Sequence, residues 1–174
     1  MALLPILHYP DPRLRQVSKP VEVFDDALLE LVSDMGETMY EAPGVGLAAP
    51  QIGQFIRLLV YDPCATDEEQ RSLRVVINPE ILFRDGAVVG EEGCLSVPEY
   101  YGEVERAARI TLRYQNVHGA VVETELEDLE ARIVQHEMDH LDGVVFLDRM
   151  GPIKRDLLKR KIKKAIKEGS YVPT

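Results

Sequence analysis

Five short β-branched runs lie between residues 56 and 126: IRLLVY (56–61), LRVVIN (73–78), AVVGE (87–91), RITLRY (109–114) and VVETEL (121–126). Turn chemistry such as Asp85-Gly86 and His118-Gly119 separates them. Gaps this short close hairpins and leave little room for parallel crossovers. Helical patterns flank the runs. Asp25 or Asp26 can cap a helix to about Glu41, in which Leu28, Leu31, Val32, Met35 and Met39 share one face before Pro43 and Gly44 stop it. The segment GVGLAAPQIG (44–53) is too rich in Gly and Pro for regular structure. A second helix is predicted from Asp128 to about Asp142, with Gly143 as its stop. A third begins at Gly151-Pro152 and ends near Gly169. This order predicts an α+β fold: mainly antiparallel β-sheets packed around the central helix over 128–142, with a C-terminal helix.

A chain of 174 residues with no repeat and no Pro/Gly/Ser-rich linker reads as one domain over 1–174. Its 45% hydrophobic and 29% charged content fits a soluble globule. No apolar run approaches the roughly 18–20 residues of a membrane span. The start, MALLPILHYP, lacks the basic and apolar regions of a signal peptide. Two cysteines make no disulfide framework, so a cytoplasmic location is expected. The net charge of −10 is unevenly spread: residues 154–168, KRDLLKRKIKKAIKE, carry eight basic and two acidic side chains. The acidic remainder argues against general DNA or RNA binding, whereas the basic helix suggests a local partner.

His136-Glu137-Met138-Asp139-His140 carries the clearest chemistry. On a helix, imidazoles at i and i+4 lie one turn apart and can share a metal, with the intervening glutamate as general acid/base for an activated water. Leu129, Ile133, His136 and His140 fall on one stripe, so the histidines face the apolar side. A catalytic site needs a third protein ligand and an open position. Phe146 stands where a third histidine of the extended H-E-x-x-H-x-x-G-x-x-H pattern would fall, and Glu168, the only later glutamate, sits at the end of the basic helix. Cys94, within EEGCLSVP (91–98), fits either a third ligand or a small buried hydrophobe, whereas Cys64 lies in a polar loop as an unremarkable thiol. Leu129 and Ile133 are candidate walls of an apolar pocket with Val45, and equally fit plain core. Arg132, one turn before His136, either snorkels at the pocket mouth or pairs with an acid.

GVGLAAPQIG (44–53), EGCLSVP (92–98) and QHEMDH (135–140) together resemble the three motifs of the peptide deformylase family, in that family's order and approximate spacing. The resemblance covers most of the chain, including ILHYPDPRLR (6–15). It implies an enzyme that removes the N-terminal formyl group from formyl-methionine of nascent polypeptides, releasing formate. It assigns Cys94, His136 and His140 as metal ligands and Glu137 as acid/base, with Gln51 and the Leu95 backbone N–H stabilising the oxyanion. It implies backbone contacts of the peptide at Val45, Gly46 and Gly93, in strand-like addition. Arg106 resembles an arginine near the family's substrate cleft. A Cys/His/His set by itself suits zinc; the resemblance implies Fe(II) as the native ion, with Zn(II), Ni(II) or Co(II) in preparations.

The alternatives are a zincin-type metallopeptidase and a non-catalytic ribosome-binding module with a structural metal. The family's C-terminal helix is associated with the ribosome, so the basic stretch 154–168 is expected to dock near the exit tunnel. On that expectation, removal of 154–174 weakens docking and spares the hydrolysis of short peptides.

Overall fold

The structure, a computed structural model, describes residues 2–173; residues 1 and 174, the ends of the expected domain, lie outside it. Helix α1 spans Asp26–Glu41, with Asp25 as its cap accepting from Leu28 N at 3.0 Å. Strand β1 is Gly46–Ala48, β2 Leu58–Tyr61, β3 Arg74–Asp85, β4 Val88–Cys94, β5 Val97–Arg106, β6 Arg109–Gln115 and β7 Val121–Glu127. Helix α2 spans Asp128–Leu141 and α3 spans Pro152–Glu168. No helix is long and apolar enough to cross a membrane among the described residues.

Strands β1-β2-β3-β6-β7, in that order, form one antiparallel sheet; β4 and β5 form a separate two-stranded hairpin. The large sheet carries a helix on each face. Side chains of a strand alternate between faces. Leu58 and Val60 accordingly pack with Leu28, Val32, Met35 and Met39 of α1. Leu59 and Tyr61 join Ala131, Ile133, Val134 and Leu141 of α2. Every residue of β2 is therefore buried, which explains its unbroken apolar run. A third core joins the hairpin to the C-terminal part: Val97 and Val104 pack with Phe146, Leu147, Leu158 and Ile162.

Two elements differ from the sequence reading. The segment 44–53 is not irregular: Gly46, Leu47 and Ala48 pair with Tyr61, Val60 and Leu59, and a 3-10 turn follows over Ala49–Ile52. β5 was not anticipated. Its partner is β4 alone, and it buries Arg106 through ion pairs where a core strand would bury an apolar side chain. Periodicity of apolar residues carries no trace of such a strand.

The C-terminal part is also more deeply integrated than expected. Leu158, Ile162, Ala165 and Tyr171 are buried, so removing 154–174 strips one side of the third core. Sparing of hydrolysis by that truncation is no longer expected.

Candidate metal centre

Helix α2 runs between the large sheet and the hairpin, which is why its histidines are buried. His136 and His140 lie edge-on, with ring centroids 5.2 Å apart. β4 delivers Cys94 to the same place. The hairpin register breaks between Gly93 and Cys94, a bulge of the kind that re-aims a side chain beside a site. Cys94 Sγ lies 3.3 Å from His140 Nε2, and one ligand atom each from Cys94, His136 and His140 fall within 4.8 Å of one another.

The donor set tests well as a metal site. One thiol and two imidazoles converge, and this group has three members among the described residues, which leaves an open position. His136 Nδ1 meets Glu92 Oε1 at 2.8 Å, which turns Nε2 towards the cluster. His140 Nδ1 and Glu137 Oε1 are buried with no hydrogen-bond partner, among the described residues. Burial disfavours charge on both rings. At His136 the Glu137 carboxylate and bonds to Cys94 and Glu92 outweigh burial and push the pKa up, whereas His140, also repelled by His136 and Arg106, is pushed down.

Glu137 sits against β1: a Cβ on Gly46 would fall 2.6 Å from Glu137 Oε2, so only glycine fits there. Burial is the largest influence on its carboxyl and raises the pKa to about 7; Glu92 and Asp139 add to the rise, while His136 and Arg106 oppose it. Gln51 is fully enclosed. Its Oε1 accepts from Ala48 N at 2.8 Å, and its Nε2 donates to Ser96 Oγ at 3.0 Å and reaches Cys94 Sγ at 3.5 Å. Leu95 lies in the turn that joins β4 to β5, with its side chain against Gly44. A cavity of about 710 Å³ opens there, lined by Ile6, His8, Gly93, Cys94, Leu95 and Tyr101 among others.

Two residues sit differently from the sequence reading, and a third takes one of the two places it allowed. Arg106 is buried: its Nε and Nη2 each meet a Glu92 oxygen at 2.9 Å, and its Nη1 meets Asp139 Oδ2 at 2.6 Å. It therefore touches the centre through Glu92, and the cavity it lines with Gln135, Met138 and Arg149 is not the one at Cys94. Ile133 is buried in the core between α2 and the sheet. Leu129 is 56% exposed and lines a separate small cavity with Val88 and Arg132. Val45 is partly exposed at the entrance to β1, its carbonyl accepting from Asp62 N at 2.8 Å.

Glu92, Ser96 and Asp139 were missed by sequence reasoning. One signal for Glu92 was present, since residues two apart on a strand share a face and Cys94 was already a candidate. Arg132, left between two roles, pairs with an acid: its Nη1 donates to Glu92 Oε2 at 2.6 Å. Glu92 thus accepts from Arg106 twice, from Arg132 and from His136. Burial alone would push its carboxyl up, but the bonds from Arg106 and His136 hold it at about 2.

Known proteins share both sequence and architecture with this chain. A family model described as polypeptide deformylase matches residues 3–156. The peptide deformylase of Bartonella henselae is 52% identical over 169 residues, 97% of this chain and 96% of that protein. That of Chromobacterium violaceum is 52% identical over 168 residues, 97% of this chain and 99% of that protein. The crystal structure of a peptide deformylase from Legionella pneumophila superposes with a TM-score of 0.88 at 43% identity, over 98% of this chain and 99% of that one.

Proposed function

The chain belongs to the peptide deformylase family, and from that premise we propose how its residues remove the N-terminal formyl group from nascent polypeptides. The enzyme is a metal-dependent hydrolase, and the observation that carries the reading is the convergence of Cys94, His136 and His140 beside a buried Glu137. We assign those three as the metal ligands, within one catalytic domain that takes in the whole chain. An ion held by Cys94, His136 and His140 would supply a polarised water and Lewis-acid assistance at the formyl carbonyl.

The chain's own groups do the rest. Glu137, with a pKa brought near neutrality by burial, accepts a proton at its carboxylate and returns it to the leaving amine. Negative charge develops on the formyl oxygen. Gln51 Nε2, already held near Cys94 by Ser96, and the Leu95 N–H are the donors aimed at that charge. Val45, Gly46 and Gly93 meet the peptide backbone. β1 is an edge strand of the large sheet, so an extended peptide can add to it with little demand on its sequence. Of the three residues expected to wall the pocket for the first side chain, Val45 keeps that role, since Ile133 lies in the core and Leu129 lines a separate cavity. Arg106 acts on substrate only through Glu92.

The native ion is Fe(II), with Zn(II), Ni(II) or Co(II) as replacements. The enzyme works in the cytoplasm on N-formylated chains and meets them near the ribosomal exit tunnel through α3, whose exposed face carries Lys161, Lys163, Lys164 and Lys167. It has no part for DNA or a membrane.

Formate release from a formyl-Met peptide, measured with metal content on one anaerobic sample, tests the reading. Glu137→Gln should keep its metal and lose at least about 100-fold in rate, the scale of general acid/base catalysis. Unchanged activity in that variant sinks the assignment of Glu137, and cleavage of internal peptide bonds favours a metallopeptidase. Activity that is air-stable and supported by zinc alone refutes Fe(II).

A further inference from the structure

The hairpin β4–β5 pairs with no other named strand, so side chains fix its position over α2. At the end near Cys94 the link is Glu92, bound by Arg106 and His136. Towards the far end it is Arg132. Its Nη2 donates to Val88 O at 2.6 Å and its Nη1 to Val104 O at 3.0 Å. One residue of α2 therefore grips both strands and, through Glu92, the link at the near end as well. The planar, forked guanidinium suits this, since it presents several donors in fixed directions. Gly90 completes the fit: a Cβ there would fall 3.1 Å from Arg132 Cζ, so a side chain would press on the clamp. The Arg132 side chain is only 14% exposed and its charge is offset by Glu92, so it offers little to a ligand in solution.

We propose that Arg132 is a positioning residue that sets the separation of β4 from α2, and with it the width of the cleft along which a formylated peptide extends. The inference rests on the reading of β1 and Gly93 as partners of the peptide backbone. With the formyl group at Cys94, a longer peptide has β4 beside it back towards Val88, the stretch that Arg132 holds. His136 and Cys94 keep their own supports without it. Losing the clamp should therefore weaken the binding of longer peptides and leave the chemical step alone.

The test compares Arg132→Met and Arg132→Lys with the unaltered holoenzyme, on formyl-Met and on a formyl-Met tripeptide. Arg132→Met should raise KM for the tripeptide about tenfold, the scale of one charge-assisted hydrogen-bonding group. For formyl-Met alone KM should change little, and kcat and metal stoichiometry should stay within about twofold. Amides of residues 88–91 should exchange hydrogen faster in the variant. Arg132→Lys keeps the charge without the fork and should show the same split. Gly90→Ala, which presses on the clamp without removing it, should raise tripeptide KM in the same direction and serves if Arg132→Met does not fold. Equal losses in kcat for both substrates, loss of metal, or a Lys variant indistinguishable from the unaltered enzyme would each overturn the proposal. No formate release by the unaltered protein would instead remove the deformylase reading, and the exchange measurement would still report on the clamp.

Discussion

Glu92 shows how much of the centre depends on one side chain that binds no metal itself. Its two oxygens accept from Arg106, Arg132 and His136, which fills the acceptor capacity of a carboxylate. Glu92→Gln keeps the shape but loses the charge and replaces one acceptor by a donor facing guanidinium groups. It should lower metal affinity about 10–100-fold, the range for outer-shell partners of ligating histidines, as read by competition with a chelator. Affinity equal to that of the unaltered protein would show that His136 needs no such support. At this scale the sequence was readable where chemistry is local. His136, Glu137 and His140 declare themselves by helical spacing. Glu92 acts across 44 residues of chain on His136, and no local pattern records that contact.

The elements were readable to different degrees, for the same physical reason. α1 begins at the Asp25 cap and α3 runs from Pro152 to its Gly169 cap, because helix ends are decided by neighbouring residues, while α2 follows β7 directly with no side-chain cap. β1 and β5 were not readable, because β1 is a three-residue strand held by its partner β2 and four of the ten residues of β5 are charged. The sequence marks α3 as a basic helix for a partner, yet Leu158, Ile162 and Ala165 on its other face are core. Ile162 is 1% exposed, and Ile162→Ala should cost about 2–5 kcal/mol, measurable by denaturant unfolding. The turn before α3 is tied to the N-terminal arm by Asp148, which accepts from Arg15 and from Val145 N. Burial alone would raise the Asp148 carboxyl, but the bonds from Arg15 and Val145 N–H, with the charges of Arg15 and Lys159, together hold the pKa below its ordinary value of 3.8. A lowered carboxyl pKa stabilises the fold above its unfolded value, and that contribution is lost as pH falls through the lower folded one. Asp148→Asn should therefore cost about 1 kcal/mol near neutral pH, given its partial exposure, with the gap closing in acid below pH about 4. A gap that persists in acid would mean that packing, not charge, sets the cost.

For the whole molecule, the sequence already carried the division into an acidic body and a basic end. It did not show that this end is built into the core, since burial on one helical face is compatible with charge on the other. A truncation therefore confounds docking with packing. The cleaner variant replaces the exposed Lys161, Lys163 and Lys164 by Gln and leaves Leu158, Ile162 and Tyr171 in place. Ribosome cosedimentation should weaken, and its slope against log salt should fall by about two to three for three lost cations, with short-peptide hydrolysis unchanged. Binding and slope equal to those of the unaltered protein would remove α3 from the docking surface. The residues after α3 have one more consequence. Tyr171 lies against the ligand loop with its hydroxyl 3.4 Å from Ser96 O, the same carbonyl that accepts from Tyr9 N at 2.7 Å, while His8 reaches Val172 O at 3.0 Å. Segments before α1 and after α3 thus close on the strand turn beside Cys94. The tie spans 75 residues of chain, so any opening of the segment after α3 also loosens the turn that carries Cys94.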